Sequence, residues 1–515
     1  MSLEPIASSE DPSTEETTKQ IRGSTLLTGG RAISLAINFA VQVLIVRHLT
    51  QAGYGAFAYA LSLVAVGEAV VTFGLDRAIT RFVPMYEERG DYGRMLGTLI
   101  MVVGFVLAVG LALVLLVIGL QGWLAGSVLK DPMLVSVIVI LVALAPIQAY
   151  DGVLIGMFAV LANARAIFFR KHILGPALRL VVVGVLVTTA GDVHLLAAGY
   201  VAAGGLGVAL YTFMLWRVLQ RRGLLSHFDR ATLSFPIREV LTFTVPLLSS
   251  DLVYVVMNAS DAVLLEHFRG ADAVAALRVV QPAAMMNQLV FTSFALLFTP
   301  LASRLFARGD RQGVNELYWR TAAWMAVFSF PIFALTFANA GPLTVALYEP
   351  RYAQSGTYLA LFALGYYFNV ALGFNGLTLK VYGRLRYIVL LNLAAAVVNV
   401  GINLLLIPRY GALGAAIGTT TTLVVHNLLK QAGLALGTGV NILDRRYVRV
   451  YLVILAAVLT LVATTTLFKL SLAMDLALTV AASLAVLLLN RDALRISDTF
   501  PVLLRLPFGR QIFGA

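Results

Sequence analysis

The chain contains no cysteine and little charge for its size. None of its 515 residues is Cys, and only 12% are Asp, Glu, Lys or Arg. The absence of cysteine excludes disulfides, iron–sulfur clusters, thiolate zinc sites and cysteine-based catalysis. Soluble globular domains carry about 25% charged residues. Half that fraction excludes a soluble enzyme of this length, and the high apolar content excludes a disordered chain.

Familiar motifs for catalysis or nucleotide binding are also missing. The sequence has no G-x-x-x-x-G-K-[ST], no D-x-D and no H-E-x-x-H, and its six histidines are scattered. The first motif would hold phosphates and the others would hold metals. The segments between apolar stretches are short, so we expect no domain outside the membrane. We therefore expect no enzyme, no metal and no cofactor. The net charge of +12 is assigned to membrane topology, not to nucleic-acid binding.

Long apolar stretches make up most of the chain. Hydrophobic residues account for 59% of it, and the mean hydropathy is +0.87. A spanning helix needs about 20 apolar residues. Suitable stretches lie at 26–46, 55–75, 96–120, 134–159, 173–190, 194–216, 239–260, 272–299, 321–340, 356–379, 387–407, 412–429, 450–468 and 472–489. The pattern predicts an all-α polytopic membrane protein with about 14 transmembrane helices.

The positions of Lys and Arg predict the orientation of these spans. Segments on one side, including both termini, contain 29 of the 38 basic residues, and those on the other side contain six. Because cytoplasmic loops carry the excess of Lys and Arg, both termini are predicted to be cytoplasmic. We expect the protein in a bacterial or archaeal plasma membrane.

A repeated motif divides the chain into two halves. Arg89-Gly90-Asp91 follows the second span, and Arg308-Gly309-Asp310 follows the eighth, 219 residues later. This predicts two pseudo-repeated six-helix lobes related by an axis along the membrane normal. The predicted divisions are a disordered cytosolic tail (1–25), an N-lobe (26–220), a cytosolic linker (221–238), a C-lobe (239–430), a second linker (431–449), two appended helices (450–489) and a cytosolic C-terminal tail (490–515).

Charged residues within the spans are the candidate functional groups, because a charge in hydrocarbon is costly and usually faces a cavity. Similar depths suggest three neutral pairs, Arg31 with Glu68, Asp151 with Arg179, and Asp251 with Arg278. The alternative is that some of them line a cavity for an anionic ligand, since Arg suits phosphate. Arg31 and Arg278 are the main candidates for this role. Glu68 and Asp251 are either counter-ions or ion-coupling sites.

Uncharged polar residues are concentrated in the first, seventh and eighth spans. Such residues often form hydrogen bonds between helices, but their concentration favours one polar cavity. The predicted substrate-binding residues are Arg31, Arg278, Asn38, Gln42, Asn258, Gln281 and Asn287.

Two stretches resemble the multidrug/oligosaccharidyl-lipid/polysaccharide (MOP) flippase superfamily. The first joins Tyr54-Gly55, Phe73-Gly74-Leu75-Asp76 and Arg81-Phe82-Val83-Pro84 to the repeated motif. It is similar to polysaccharide-export and O-antigen-repeat flippases. The second runs from Asn399 and Asn403 through Ile407-Pro408 to Gly411 and Gly418, where Pro408 is predicted to end a helix. It is similar to the same family's corner between spans 11 and 12.

The resemblance implies alternating access by two lobes and a lipid-linked oligosaccharide as substrate. It also implies cavity arginines on the first and eighth spans, where Arg31 and Arg278 lie, and a groove for the lipid tail formed by the last two helices. Glycosyltransferases and the polymerase of the same pathway would be partners, and membrane lipid would surround an expected monomer. Two alternatives stay open, a cation-coupled drug or metabolite antiporter of the same superfamily and a polytopic glycosyltransferase or ligase.

Overall fold

The computed structural model describes residues 30–494, apart from positions 32, 130, 162, 224–232 and 469. The predicted N-terminal tail, half of the 221–238 linker and the chain after 494 therefore lie outside the described residues. The part of the chain that the structure describes is helical and contains no β-strand. This confirms the predicted all-α class.

Eight helices cover the first half of the chain. They are α1 (Ile33–His48), α2 (Gln51–Thr72), α3 (Leu75–Glu88), α4 (Tyr92–Gly119), α5 (Pro132–Leu141), α6 (Leu144–Val160), α7 (Gly175–Thr188) and α8 (Val193–Arg221). A short helix, Ala164–Phe168, and a π-helix, Phe169–Leu174, precede α7 without a break.

Twelve further helices cover the second half. They are α9 (Ile237–Arg269), α10 (Ala271–Arg278), α11 (Gln281–Met285), α12 (Gln288–Ala307), α13 (Arg311–Ala338), α14 (Ala340–Tyr348), α15 (Ser355–Ala371), α16 (Asn375–Val381), α17 (Leu385–Tyr410), α18 (Ala412–Thr438), α19 (Val448–Phe468) and α20 (Leu472–Leu489).

Each predicted apolar stretch coincides with one of these helices or with a run of consecutive ones. Among the described residues, eleven helical segments are long and apolar enough to cross a membrane, and the bent pair Ala271–Met285 and Gln288–Ala295 gives up to twelve. The two predicted spans outside this count correspond to the shorter α1 and to α9. The protein is therefore a multi-pass membrane protein, roughly as predicted.

The helices form two compact units whose boundaries differ from the predicted lobes. One unit comprises the chain up to His48 and Leu63–Leu252, and the other comprises Leu49–Ser62 and the chain from Val253. The start of α9 packs on the first unit. Tyr86 donates a hydrogen bond to Glu239 at 2.7 Å, and the Phe243 ring packs edge-on against Phe82. The first unit thus extends beyond the repeat boundary.

The first turns of α2 pack in the second unit. Gln51 Nε2 donates to the Asp272 carbonyl oxygen at 3.1 Å. A Cβ atom on Gly55 would lie 1.9 Å from the Ala271 carbonyl oxygen, so only glycine allows this approach of the two backbones. Residues from the first half of the sequence thereby complete the second unit.

The repeated motif forms the same turn in both halves. Gly90 and Gly309 have φ angles of 67° and 71°, the left-handed conformation that ends a helix. Asp91 then accepts a hydrogen bond from the Arg94 backbone nitrogen at 3.0 Å, and Asp310 accepts one from Gly313 at 2.7 Å. Each aspartate caps the helix that follows it. The motif is therefore a helix stop followed by a helix start.

The corner between α17 and α18 is made by Gly411. The sequence predicts that Pro408 ends α17, but the helix continues to Tyr410, and Gly411 turns the chain with φ 57°. Arg269 Nη2 donates to the carbonyl oxygens of Pro408 and Arg409 at 2.6 and 3.0 Å. An arginine at the C-terminus of a helix satisfies carbonyls that have no helical partner.

Asp444 begins the connection into α19. Its carboxylate accepts hydrogen bonds from the Arg446 backbone nitrogen at 3.0 Å and from Arg446 Nη2 at 2.7 Å. The guanidinium hydrogen bond holds the pKa of the Asp444 carboxyl below its usual value. The ionised form of Asp444 therefore stabilises the start of this connection.

Candidate functional site

A buried ion pair lies in the first unit between Arg170 and Asp151. Arg170 Nε donates to Asp151 Oδ1 at 2.9 Å, and the two side chains are 11% and 23% exposed. The sequence predicted Arg179 as the partner of Asp151, and that prediction is wrong. Arg170 was counted in a cytosolic connection, but the helix continues through it, since the π-helix Phe169–Leu174 runs directly into α7.

Two glycines make room for the Arg170 guanidinium. A Cβ atom on Gly207 would lie 3.0 Å from Cζ and Nη2 of Arg170, and one on Gly175 would lie 3.2 Å from Nη1. Larger residues at these positions would have to displace the guanidinium. The pair is therefore built into the packing of α6, α7 and α8.

Arg31 and Arg179 form no ion pair with a carboxylate among the described residues of the first unit, although Arg179 lies near enough to Asp151 to interact with it electrostatically. Arg31 is helical, lies two residues before the first residue of α1 and is exposed. Arg179 Nη1 donates to Asn38 Oδ1 at 3.3 Å, and its Cζ lies 5.9 Å from the centre of the Tyr200 ring. Gln42 lies one turn after Asn38 on α1 and is half-buried. Three predicted residues thus share α1 or its start.

The predicted pair of Arg31 with Glu68 is also absent from the described residues. Glu68 on α2 is half-buried, and its charged neighbours are the carboxyl groups of Asp151 and Asp76. Of Glu68, Asp76 and Asp151, only Asp151 forms an ion pair with a described residue, and that residue is Arg170. Glu68 therefore lies among other carboxyl groups and does not contact Arg31, its predicted partner.

A second buried pair lies in the second unit between Arg278 and Asp261. Arg278 Nη2 donates to Asp261 Oδ1 at 2.8 Å, and the side chains are 14% and 3% exposed. The sequence predicted Asp251 as the partner; the side chain of Asp251 lies outside the described part of α9, so that pairing stays a prediction. The seventh span was predicted to end at residue 260, but α9 continues to Arg269, so Asp261 lies inside a helix. The side chains of Asp251 and Asn258 are outside the described part of α9.

Arg278 lies where its membrane span is broken. It is the last residue of α10, and Gln281 and Pro282 begin α11 after two turn residues. Proline is tolerated at the first turn of a helix but not in its interior, so Pro282 accounts for the break. Arg278 Nη1 donates to Gln281 Oε1 at 2.6 Å, and Gln281 Nε2 donates to the Tyr366 hydroxyl at 3.5 Å. Arg278 and Gln281, on either side of the two turn residues, are therefore joined by a side-chain hydrogen bond.

Asn287 occupies a packed position. It lies at a second break, between α11 and α12, and is fully buried. Its Nδ2 donates to the Ala284 carbonyl oxygen at 3.0 Å and to the Thr336 hydroxyl at 3.2 Å. The structure places it in the interior of the second unit, not on an accessible wall.

A further polar network joins α9, α17 and α18 in the second unit. Ser260 Oγ donates to Asn399 Oδ1 at 3.0 Å, and Asn403 Nδ2 donates to the same atom at 3.3 Å. Asn399 Nδ2 donates to the Thr422 hydroxyl at 3.4 Å. Hydrogen bonds between helices of this kind stabilise membrane proteins modestly. The asparagines of the second flippase-like stretch therefore tie three helices together.

Each unit thus contains one neutral arginine–aspartate pair that is almost removed from solvent. Taking two charges out of water is costly, and mutual contact offsets that cost. In the first unit Arg31 and Arg179 stand outside such a pair. The chemistry available to these groups is binding and positioning of an anion through guanidinium hydrogen bonds. Among the described residues no group of three or more His, Cys, Asp or Glu side chains could hold a metal ion.

The fold resembles that of MOP-superfamily transporters. The structure of the lipid II flippase MurJ in an inward closed conformation matches with a TM-score of 0.70 at 15% identity, over 91% of this chain and 99% of that one. An inward-facing multidrug resistance MATE transporter of the MOP superfamily matches with a TM-score of 0.61 at 14% identity, over 77% and 93%. The likeness is one of fold.

Sequence comparisons point the same way. A family model described as polysaccharide biosynthesis protein matches residues 21–306, and one described as MatE matches residues 246–405. An uncharacterized membrane protein, MJ1068, of Methanocaldococcus jannaschii is 26% identical over 168 residues, 32% of this chain. The aligned region spans about a third of that relative's length.

The solved structures therefore show that the described chain has the fold of MOP-superfamily flippases and transporters. Its structural relatives are transporters and flippases, not enzymes. Because the model match covers more than half of the sequence, the chain belongs to the polysaccharide biosynthesis protein family.

Proposed function

We propose that this protein moves a lipid-linked oligosaccharide, carried on a polyprenyl phosphate or pyrophosphate, across the membrane by alternating access. The observation that carries the proposal is the distribution of charge. Asp151 and Asp261 form ion pairs with Arg170 and Arg278, whereas neither Arg31 nor Arg179 forms an ion pair with a carboxylate among the described residues of the first unit. Cations of this kind favour an anionic substrate, and a guanidinium binds phosphate well.

A sugar headgroup on a phosphate cannot enter hydrocarbon unaided, because its polar groups would lose their hydration. In the proposed cycle Arg31 and Arg179 contact the phosphate, and Asn38 and Gln42 offer hydrogen bonds to the sugars. Gln281, Asn258 and Arg278 are the proposed contacts in the second half. The protein performs no covalent chemistry on the glycan.

The lipid tail is proposed to lie along α19 and α20. These helices carry exposed apolar side chains, including Leu455, Leu459 and Leu484. The MurJ structure matches 91% of the chain, and the MATE structure matches 77%. The more extensive match to the lipid II flippase supports a lipid-bearing substrate over a small drug.

The remaining parts of the proposal concern the cell. We propose that the protein is a monomer in the plasma membrane with both termini cytoplasmic. Glycosyltransferases and the polymerase of a cell-surface polysaccharide pathway would be its partners. Glu68, and Asp251 outside the described side chains, are the proposed ion-coupling residues.

A cation antiporter is the second candidate function. Glu68, Asp76 and Asp151 lie near one another in the first unit, and such a group of acids suits a cationic substrate. The MatE match over residues 246–405 supports the same alternative.

Reconstitution into liposomes tests the proposal. A fluorescent lipid-linked oligosaccharide placed in one leaflet should cross faster with the wild-type protein than in empty liposomes. Arg31→Ala and Arg179→Ala should each slow the transfer about tenfold, the effect of losing one charge-assisted hydrogen bond. Arg217→Ala is the control, because Arg217 is an exposed cation stacked on Phe213.

Each other outcome has a distinct meaning. Extrusion of cationic dyes with no effect on the lipid would establish the antiporter. A chemical change in the glycan would establish an enzyme.

A further inference from the structure

Two lysines in the second unit face each other across α16 and α18. A Cβ atom on Gly376 would lie 3.9 Å from Nζ, Cε and Cδ of Lys430, so the Lys430 side chain lies over Gly376. Lys380 is four residues after Gly376 on α16, and positions four apart share one face of a helix. The two ammonium groups therefore occupy the same space between the helices.

Neighbouring hydrogen bonds fix the two helices at this point. Asn375 Nδ2 donates to Asn427 Oδ1 at 3.3 Å and to the Asn427 carbonyl oxygen at 3.4 Å. Both asparagines are buried. Because this contact joins α16 to α18 beside the lysines, helix packing and not a loop sets the separation of the two lysine backbones.

No acidic residue compensates these charges within the described part of the second unit. Its ion pairs use Asp261, Glu349, Asp444 and Asp492, and in each of them the cation is an arginine. Lys380 is the charged neighbour of Lys430. His426 lies one turn before Lys430, and its Nε2 is 3.0 Å from Asn392 Oδ1.

The accessibility of the two side chains differs. Lys380 is exposed and Lys430 is half-buried. Two like charges held close together repel each other, and partial burial strengthens the repulsion. An anion that contacted both ammonium groups would offset the electrostatic repulsion between them. The contrast with Arg278 is direct, because that guanidinium already contacts the Asp261 carboxylate.

From this arrangement we propose that Lys380 and Lys430 bind a phosphate group, as a second anion site in addition to the predicted arginines. The lysine ammonium is a compact point charge and a common phosphate ligand. The proposal rests on the proposed function in one respect, that the phosphate belongs to the lipid carrier. The predicted topology places this site near the cytoplasmic end of α16, where the carrier would enter.

The experiment measures binding to the purified full-length protein in detergent. Inorganic pyrophosphate is one probe and farnesyl pyrophosphate, a short-chain polyprenyl pyrophosphate, is the other. Binding is followed by ³¹P NMR and by the rise in melting temperature that the probe causes. The variants are Lys380→Gln, Lys430→Gln, the double variant and the charge-retaining Lys380→Arg/Lys430→Arg. Arg386→Ala is the matched control, because Arg386 is an exposed cation near the start of the next helix, α17.

The expected result is that wild type, the double arginine variant and Arg386→Ala bind both probes. Each single Gln variant should bind about tenfold more weakly and the double variant about a hundredfold more weakly. Without a probe, Lys430→Gln should melt at the same temperature as wild type or higher, because it removes a repulsion. The melting temperature without a probe therefore distinguishes a variant that no longer binds phosphate from one that no longer folds.

Equal affinity of the double Gln variant and wild type for both probes would overturn the proposal. Binding of inorganic pyrophosphate alone would assign the site to free phosphate and not to a lipid headgroup. Lysine-dependent binding in a protein that does not flip lipid would retain the site and reject the proposed function. If a double variant that binds neither probe still flips lipid at the wild-type rate, the two lysines bind phosphate as proposed but take no part in transport.

Discussion

Single and double replacements at Arg278 and Asp261 will measure the coupling free energy between these two side chains. Arg278→Gln or Asp261→Asn alone leaves the opposite charge buried and unpaired, which costs about 3–5 kcal/mol. Asp261 is 3% exposed and Arg278 is 14% exposed, so solvent can screen little of that cost. The double variant is neutral. We expect its loss of unfolding free energy to be smaller than the sum of the single losses by about 2–3 kcal/mol.

Equilibrium unfolding in mixed micelles, followed by circular dichroism, gives the four free energies of unfolding. The control is the pair Arg351 and Glu349, whose atoms lie 3.3 Å apart and whose side chains are 32% and 43% exposed. Its coupling free energy should be below about 1 kcal/mol. A coupling for Arg278 and Asp261 no larger than the control's would refute the argument.

Three further predictions concern export, topology and pH. Cells that carry Arg31→Ala should export about tenfold less glycan with unchanged protein in the membrane, and undiminished surface glycan would remove Arg31 from the site. A membrane-impermeant thiol reagent should label Asp272→Cys but not Arg89→Cys in intact cells; the reverse result would invert the predicted topology. Asp444→Asn should lower stability by at most about 1 kcal/mol at neutral pH, because it removes the charge from the contact with the exposed Arg446 but keeps a capping side chain. Because Arg446 depresses the pKa of Asp444 in the folded state, the stabilisation exists above the unfolded pKa and is lost as pH falls through the folded one. The difference between wild type and variant should therefore vanish in acid, and a pH-independent difference would contradict the assignment.

The sequence predicts the spans well because the signal is strong and local. Twenty apolar residues in a row have few stable alternatives to a spanning helix. The Arg-Gly-Asp motif is equally local, since its glycine and aspartate adopt the helix-ending and helix-capping conformations without help from distant residues. Both features depend on residues that are neighbours along the chain.

Partners within the ion pairs could not be predicted in the same way. Depth along a span was estimated from an ideal helix whose ends were set by hydropathy. The π-helix before α7 carries Arg170 into the bundle, and the continuation of α9 to Arg269 places Asp261 within a helix. Both residues lay just beyond a predicted end. Which face of a helix meets which neighbour depends on rotation about the helix axis, and hydropathy does not report it. A search of the three residues beyond each predicted end would have found both.

The assignment of Leu49–Ser62 to the second unit has a consequence for how the protein is made. This segment leaves the ribosome about 190 residues before Val253, and at 5–20 residues per second the delay is roughly 10–40 s. During that time Gly55 lacks the Ala271 backbone against which it packs. Insertion machinery or lipid must therefore hold the start of α2 while the rest is synthesised. The same dependence applies to a chain that is cut within residues 224–232. Its N-terminal fragment would contain Leu49–Ser62, which packs in the second unit, while the rest of that unit would lie in the C-terminal fragment. The two fragments should accumulate only when they are produced together.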